Sequence, residues 1–395
     1  MYVHDKKEDC CGCTACMTIC PVKCITMKED SEGFLYPYID EDKCIHCGLC
    51  RKVCDFTKQH DWDAMPMPQV YAAKQKSEAE RAKSQSGGMF AALSDVVLEM
   101  GGIVYGAGYD KNWNVIHKRA ETKEERDEMR GSKYVQSNKR DCFRRVLIDL
   151  AKGRTVLFSG THCECAGLKN LAELRHIRTE KLFLVDIVCH GVPSPKVYQA
   201  FRDFMVKKHP GKIEKFNFRD KPKYGWHSGI GTIIIDGKAY NTQLYADLFY
   251  GNNALRPSCY QCPYKGVIHM ADITIADFWG IEKWAPNLDD NKGISLAILN
   301  TSKGKKLFDM VRDRMAYRES NVHDCMQPSL EYPTLCPETR EQFWKDFETK
   351  PFAYVLTHYT NNYGWKSYTK KTVKQAAKAI LPRPVIDALK KWRGR

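Results

Sequence analysis

Cysteines are the residues of this chain whose type and spacing could do chemistry. The sequence holds 18 cysteines among 395 residues, and eight of them lie in two runs of the form C-x2-C-x2-C-x3-C. A [4Fe–4S] cluster needs four thiolates, and in the bacterial two-cluster pattern the fourth cysteine of each run binds the other cluster. The spacing therefore predicts one cluster on Cys10, Cys13, Cys16 and Cys54, and a second on Cys44, Cys47, Cys50 and Cys20.

Zinc is the alternative for these two runs, because all-cysteine zinc sites also use C-x2-C pairs. Two complete runs, the first followed by Pro21, favour iron–sulfur clusters over zinc. Cys11 and Cys24 fall outside the spacing and are expected to be bystanders.

Four further cysteines suggest another metal centre. Cys163 and Cys189 each follow an apolar, strand-like segment, and Cys259 and Cys262 form a C-x2-C pair. The carboxyl ends of neighbouring parallel strands line the ligand crevice of an open sheet, so these thiols could converge. They predict a third [4Fe–4S] cluster, with Cys165 as the rival of Cys163. A structural zinc site and unrelated buried cysteines are the alternatives.

The elements that must position these cysteines alternate along the chain. Segments 155–160 and 182–189 have the pattern of buried strands, and segments 89–100 and 195–208 that of helices. Such alternation predicts a largely parallel sheet covered on both faces. After Lys212 the pattern is mixed and includes an Asp-Gly hairpin signal. The polar, proline-containing segment that follows Cys54 is typical of a linker.

Two stretches suit a phosphate-bearing cofactor. One is a Ser-Gly-Gly turn ahead of a helix, where free backbone N–H groups and the helix dipole attract anions. The other is the segment 131–138, which offers a cation, hydroxyls, an amide and an aromatic ring. No G-x-G-x-x-G turn follows a strand, so we predict no nicotinamide site. The candidate residues are Ser86, Gly87, Gly88, Ser132, Lys133, Tyr134, Gln136 and Ser137.

Composition narrows the class of protein. The net charge is +14, but residues 366–395 alone carry ten Lys or Arg against one Asp, and no nucleic-acid motif is present. A basic tail of this kind suits an anionic membrane surface or an acidic partner, and a solvated helix end is the alternative. No stretch has the length of an apolar membrane span, and the first residues do not have the pattern of a signal peptide. The expected location is the cytoplasm, with possible peripheral contact at the inner face of the membrane.

The order of these motifs resembles the family of coenzyme F420 hydrogenase/dehydrogenase beta subunits. The stretches SGG, GSKYVQS, SGTHCECAGL, DIVCHG and ADITIADFWG follow one another behind the double cysteine run, and the resemblance covers most of residues 1–300. It implies FAD beside an iron–sulfur cluster, with Gly160 and Thr161 added to the cofactor-binding residues. The family's GTPCQ turn reads Gly160-Thr161-His162-Cys163-Glu164 here, which predicts a different substrate.

The predicted fold class is α+β and α/β. A ferredoxin-like 2[4Fe–4S] domain comes first, followed by a mixed, largely parallel α/β flavin-binding body and a basic helical C-terminal tail. The predicted boundaries are 1–60 for the ferredoxin domain, 61–150 and 151–330 for the N-terminal and C-terminal regions of the family body, and 331–395 for the tail.

The predicted function is that of an iron–sulfur flavoprotein oxidoreductase. Electrons would pass between a ferredoxin-like carrier or reduced F420, the clusters and FAD, to reduce or oxidise a small substrate. His162, His227 and Asp220 are the catalytic candidates, because a histidine supplies protons near neutral pH. The alternative is a non-catalytic electron-transfer subunit of a larger reductase or hydrogenase.

Overall fold

The computed structural model describes residues 1–364. The basic stretch 366–395, predicted as a helical tail, lies outside the described residues. Within residues 1–364, no helix is both long enough and apolar enough to cross a membrane.

The N-terminal module is a small α+β unit built around the two cysteine runs. Each run ends in a short helix, and the polypeptide between the runs forms an antiparallel hairpin that pairs Ile25 with Ile39. Residues between the cysteines therefore need little regular structure, because the thiols converge through turns. The elements are α1 (Ala15–Ile19), β1 (Ile25–Glu29), β2 (Leu35–Ile39) and α2 (Leu49–Lys52).

The rest of the described chain is a mixed α/β body. Its strands are β3 (Gln69–Gln75), β4 (Ile103–Tyr109), β5 (Val115–Ala120), β6 (Val156–Thr161), β7 (Leu182–Ile187), β8 (Ile213–Asn217), β9 (Thr232–Ile235), β10 (Lys238–Asn241), β11 (Ile273–Asp277), β12 (Ser295–Leu299) and β13 (Met315–Ser320).

Eight of these strands form one sheet in the order β13-β3-β12-β11-β7-β6-β4-β5. The central strands β11, β7, β6 and β4 are parallel, and both flanks are antiparallel. The mixed α/β class predicted from the sequence is confirmed, with its parallel part confined to the centre. Strands β8, β9 and β10 form a separate three-stranded sheet, whose β9–β10 turn contains the predicted Asp-Gly pair.

Helices cover both faces of the large sheet. Strands such as β6 and β12 are apolar on both sides, which is typical of strands buried between two helical layers. The helices are α3 (Glu78–Ala82), α4 (Met89–Glu99), α5 (Lys123–Asp127), α6 (Cys142–Ala151), α7 (His162–Leu174), α8 (Pro195–Lys208), α9 (Lys221–Tyr224), α10 (Gln243–Tyr250), α11 (Ile281–Trp284), α12 (Ser302–Asp309), α13 (Pro328–Glu331), α14 (Arg340–Thr349) and α15 (Phe352–Tyr359).

The C-terminal part of the described chain is helical, as predicted. Helices α14 and α15 pack through Phe343, Val355 and Leu356 against α8 and α10 of the body. This region is therefore part of the folded unit rather than a free appendage as far as Gly364.

The N-terminal module is docked on the body through several contacts. Helix α1 lies against α7, and the Ser194 hydroxyl donates to the Glu32 carbonyl in the hairpin turn. The segment predicted as a linker is only partly one. Phe56 and Trp62 pack against the body, whereas Met67 is 61% exposed.

Candidate redox site

The eight cysteines of the two runs line two separate cavities in the N-terminal module. The cavity here called the inner site is lined by Cys10, Cys13, Cys16 and Cys54. The cavity called the outer site is lined by Cys20, Cys44, Cys47 and Cys50. The fourth cysteine of each run lies with the first three cysteines of the other run, which is the crossed arrangement of two-cluster ferredoxins.

The two sites differ in their exposure to solvent. In the inner site Cys10 and Cys16 are buried, whereas Cys47 of the outer site is exposed. Around Cys47 the side chains of Ile45 and Val22 are also exposed, at 59% and 38%. A group held at the outer site would therefore be the one that an external electron carrier could approach.

The four remaining cysteines predicted as ligands line one further cavity, here called the edge site. Cys163, Cys189, Cys259 and Cys262 come from three distant chain segments and are all half-buried. Strands β6 and β7 are adjacent and parallel, so the chain segments that follow them meet at one edge of the sheet. The Cys259–Cys262 loop closes this edge from the opposite side.

The chemistry of the edge site fits a metal cluster. Burial and the neighbouring thiols raise the pKa of Cys259 to about 12 and that of Cys262 to about 11. Several half-buried thiols side by side cannot all ionise unless a cation stabilises the thiolates. Two cations already border the cavity: the Lys265 ammonium donates to the Cys189 carbonyl at 2.9 Å, and Arg256 lines the wall.

Helix α7 begins where it does because of a capping box. The Thr161 hydroxyl accepts from the third backbone N–H of the helix, and the Glu164 carboxylate accepts from the Thr161 N–H at 3.0 Å. The same hydroxyl lies 3.1 Å from the Cys163 Sγ. Glu164, which replaces the family's glutamine, thus fixes the turn that carries Cys163.

Glu164 is ionised in a buried position because it has a buried partner. The Lys139 ammonium donates to the Glu164 carboxylate and to the Ser137 carbonyl. Burial opposes the charge, but Lys139 and His117 hold the pKa of Glu164 below its usual value of 4.5. Burial lowers the pKa of His117 to about 4, so this histidine is neutral.

The two cysteines expected to be bystanders border the cavities. The Cys11 thiol lies between those of Cys13 and Cys163 and lines both the inner and the edge site. The Cys24 Sγ lies 3.5 Å from the Cys20 Sγ, at the outer site. No spacing rule could have found them, because the pattern is already complete without them.

His162, the first catalytic candidate, lies in the wall of the edge site. Its ring stacks on those of His269 and Tyr264, and burial lowers the pKa of His162 well below 6.5. The Met270 N–H donates to Nε2 at 3.1 Å, which leaves the ring proton of the neutral form on Nδ1. That nitrogen lies 3.7 Å from the Asp186 Oδ2.

His162, Asp186 and His269 bring three donor atoms within 4.8 Å of one another. The proton on the His162 Nδ1 removes that atom as a ligand, so the group does not fit a further metal ion.

The other two catalytic candidates lie apart from the edge site. His227 is exposed, and its Nε2 is 2.8 Å from the Asp289 Oδ2. The Asp220 carboxylate accepts from the Thr232 hydroxyl at 2.6 Å and thereby ties α9 to the small sheet. Their catalytic roles remain predictions.

Several predicted cofactor-binding residues have partners within the protein. Gln136 donates to the Cys11 carbonyl at 2.9 Å, and the Ser137 hydroxyl is 2.6 Å from the His117 Nδ1. Lys133 donates to two backbone carbonyls. Gly160 lies beneath the Glu164 side chain. These four residues would have to keep or exchange these contacts to hold a cofactor.

The Ser-Gly-Gly turn lies at the same edge of the sheet, ahead of α4. A Cβ on Gly87 would lie 2.2 Å from the Ala73 carbonyl oxygen, so this glycine permits close backbone packing. The Ser86 hydroxyl donates to the Ile294 carbonyl at 2.8 Å. Gly88 has a φ of 92° and forms the N-cap of α4.

An aromatic cluster beside Cys189 was not predicted as a unit. The Tyr134 ring stacks on Phe249, and Trp279 stacks on Trp226 at 4.8 Å. Arg219 lies over Trp279 and donates to the Asp277 carboxylate. Trp279 and Tyr250 are 38% and 55% exposed. The cluster consists of Tyr134, Arg219, Phe249, Tyr250, Asp277 and Trp279.

Two family models match this chain. Residues 153–324 match the model of the C terminus of the coenzyme F420 hydrogenase/dehydrogenase beta subunit. Residues 9–57 match the model of a 4Fe-4S dicluster domain. The two matches cover the body with the edge site and the N-terminal module, respectively.

The chain is similar to proteins of both kinds. It is 22% identical over 321 residues to the F subunit of the F(420)H(2) dehydrogenase from Methanosarcina mazei, which covers 78% of this chain and 84% of that protein. It is 39% identical over 61 residues to Ferredoxin 7Fe of Hydrogenibacillus schlegelii, or 15% of this chain and 72% of that one. A chain of the F420-reducing [NiFe] hydrogenase complex from Methanosarcina barkeri aligns with a TM-score of 0.48 and 19% identity, covering 80% of this chain and 94% of that one.

Proposed function

Because the chain belongs to the family of coenzyme F420 hydrogenase/dehydrogenase beta subunits and carries a 4Fe-4S module at its N-terminus, we propose that it is an iron–sulfur flavoprotein oxidoreductase. The outer, inner and edge sites would each hold a [4Fe–4S] cluster, and FAD would bind at the aromatic cluster. The observation that carries the proposal is the convergence of four thiols from three chain segments on the edge site, next to the inner site.

The three sites form an ordered path. The exposed thiol of Cys47 marks the end where a one-electron carrier or another subunit would dock. Cys11 and Cys13 of the module lie beside Cys163, so the inner site adjoins the edge site. Electrons would then cross from the module to the body without passing through solvent.

The protein's own groups would stabilise a cluster at the edge site. The Val192 N–H donates to the Cys259 Sγ at 3.4 Å, and the Thr161 hydroxyl is near the Cys163 Sγ. The Lys265 ammonium adds a positive charge beside Cys189. Hydrogen bonds to sulfur and nearby cations are the levers by which proteins adjust cluster potentials.

The aromatic cluster supports the flavin. A bound flavin exchanges single electrons with clusters and two electrons with organic substrates. Tyr134 and the exposed ring of Trp279 offer flat apolar surfaces, and the Arg219 guanidinium between them offers positive charge. Since Cys189 and His190 follow β7 at the same edge, FAD here would lie next to the third cluster.

The test is anaerobic purification of the full chain with iron, sulfide and flavin quantified. We expect about twelve iron atoms and about one flavin per chain. The Cys163→Ser variant should retain about eight iron atoms, and a reduced ferredoxin or reduced F420 should no longer bleach its flavin.

Cys165→Ala is the matched control for that variant. Cys165 is fully buried on the same helix and does not line the edge site. It should keep about twelve iron atoms. About eight iron atoms in the wild-type protein would remove the third cluster from the proposal.

A second candidate function is that of an electron-transfer subunit without a substrate of its own. The relative from Methanosarcina mazei is named as a subunit, which favours a chain that works with others. Under this proposal the purified chain would take up electrons but reduce no small acceptor, and it would co-purify with a partner subunit. Turnover by the isolated chain would decide for the enzyme.

A further inference from the structure

Arg256 is a buried arginine that joins the body to the N-terminal module. The residue is 0% exposed. Its Nε donates to the Cys10 carbonyl at 2.7 Å, its Nη2 to the Leu35 carbonyl at 3.0 Å, and its Nη1 to the Gln136 Oε1 at 2.8 Å. Every contact of this guanidinium is therefore made at the junction between the inner and the edge site.

The positive charge of Arg256 faces thiols and not a carboxylate. Its Nη2 lies 3.7 Å from the Cys10 Sγ. Over residues 1–364, the ion pairs within 4.0 Å that the structure contains do not include this arginine. A buried guanidinium keeps its proton and needs an anionic partner, and the nearest candidates are cysteine thiolates.

The backbone of Arg256 is fixed to the edge site. The Cys259 N–H donates to the Arg256 carbonyl at 2.9 Å, and the Arg256 N–H donates to the Val192 carbonyl at 3.0 Å. The Tyr36 ring, 4.1 Å from the guanidinium, closes the other side. Gly12 leaves the room that the side chain needs, because a Cβ there would lie 2.9 Å from the Arg256 Nη1.

We propose that Arg256 is a positioning residue for electron transfer, whose buried charge raises the reduction potential of the cluster at the inner site and whose side chain fixes the inner site against the edge site. This inference rests on the proposed function, because it requires iron at the inner site. A nearby cation stabilises the reduced cluster, which carries one more negative charge than the oxidised cluster. The outer site has only the exposed Arg51 in its lining, so electrons arriving there would move towards the inner site.

The experiment is a redox titration of the anaerobically purified full chain, followed by electron paramagnetic resonance. Arg256→Gln removes the charge and should shift one midpoint potential of the N-terminal pair to a lower value. Arg256→Lys keeps the charge and should stay closer to wild type. Gln136→Glu leaves Arg256 in place but sets a carboxylate against it, and should also lower that potential.

Arg126→Gln is the matched control. Arg126 is 1% exposed and donates to the Ala91 carbonyl and the Asp95 carboxylate, away from the three sites. Its loss costs a buried arginine without removing charge from a cluster. We expect the midpoint potentials of this variant to equal those of the wild type.

The outcomes separate this inference from the proposed function. Wild-type protein without iron overturns both. Fully loaded Arg256→Gln with unchanged midpoint potentials overturns only the role of Arg256, as does an Arg256→Lys variant that shifts as far as Arg256→Gln. Should Arg256→Gln not retain iron, Gln136→Glu decides: a lowered potential supports the role of the charge, and an unchanged one overturns it.

Discussion

At the scale of single residues, the edge site is built by side chains that carry no electrons. Thr161 and Glu164 form the cap that holds Cys163, and Lys139 neutralises the buried Glu164 carboxylate. Removing one partner of a buried ion pair costs roughly 3–5 kcal/mol, because the other charge is left without compensation. The departure from the family's glutamine is thus tied to a second buried residue, Lys139.

The proposed flavin site can be tested at Arg219. Arg219→Gln removes the positive charge that lies over Trp279 and faces Tyr134. We expect the flavin content to fall several-fold while the iron content stays unchanged, since no cysteine is touched. Flavin and iron are measured on the same anaerobic preparation.

Arg202→Gln is the control for Arg219→Gln. Arg202 is also buried, but it donates to Asn112 and Asn114 on the far side of the small sheet. Equal flavin loss in both variants would show that stability, and not the aromatic cluster, determines flavin retention.

His117 should make stability fall at mildly acidic pH. Burial lowers its pKa from 6.5 to about 4, so below pH 6.5 the unfolded chain binds a proton that the folded chain does not. From pH 7 to pH 5 this histidine should cost the fold about 2 kcal/mol. The His117→Gln variant should lose less stability over that interval, measured by anaerobic denaturant unfolding. Parallel pH profiles of the two proteins would contradict the assignment.

The sequence could identify cysteine ligands because their spacing is local, but not the charges between the sites. Arg256 contacts Cys10 across 246 positions, and Lys139 meets Glu164 across 25. In the sequence each has the same status as any other Lys or Arg. Cys11 was misjudged for the same reason, since its position between two sites depends on how the module docks.

At the scale of elements, helix α7 connects two of the sites. It carries Cys163 in its first turn, and Gly167 one turn later lies against Cys13. The apolar pattern predicts a helix only from residue 166, because the first turn, HCEC, has no apolar spacing and is set by the cap. A capping box needs only Thr161 and Glu164, so this signal was present in the sequence.

The central strands were predictable because each is a short apolar run that borders a helix. The antiparallel flanks were not. Strand β3 pairs with β12 and β13, more than 200 residues later in the chain. No local pattern gives the direction of such a pairing, because it depends on the path of the intervening chain.

Gly167→Ala should weaken the junction between α7 and the inner site. A Cβ at this position would lie 2.8 Å from the Cys13 Sγ, which a bound cluster would hold in place. Alanine favours a helix over glycine by about 1 kcal/mol, but overpacking costs about 1–3 kcal/mol. We expect lower stability and partial loss of iron, measured by unfolding and iron analysis.

Gly229→Ala is the control for Gly167→Ala. A Cβ at Gly229 would have the Tyr250 ring as its nearest neighbour at 3.8 Å, which is an ordinary contact. This variant should keep its iron. Full iron content and unchanged stability in Gly167→Ala would show that the inner site has room to move.

At the scale of the whole molecule, the ferredoxin-like module and the body form a continuous structure. Arg256 reaches from the body into the module, and Arg340 near the C-terminal helices forms an ion pair with Glu32 in the module's hairpin. The sequence predicts separate domains joined by a linker. It could not show that Phe56 and Trp62 are covered by the body, because the surrounding residues are polar.

Limited proteolysis can test this arrangement. The exposed residues 63–67 should be cut first by thermolysin, whereas Phe56 to Trp62 should resist because both ends of that segment are packed. The two fragments should stay together on anaerobic size-exclusion chromatography, since the buried contacts of Arg256 remain. Release of the N-terminal fragment after the first cut would contradict a tightly docked module.

The position of Phe56 has a consequence for how the protein is made. Phe56 and Tyr264 line the edge site, and Trp62 lies 5.8 Å from the His162 ring behind them. Iron and sulfide must reach those four thiols while this short stretch of chain is still detached. The outer site, with Cys47 open to solvent, can be filled at any time, so maturation has a fixed order at one end of the path and none at the other.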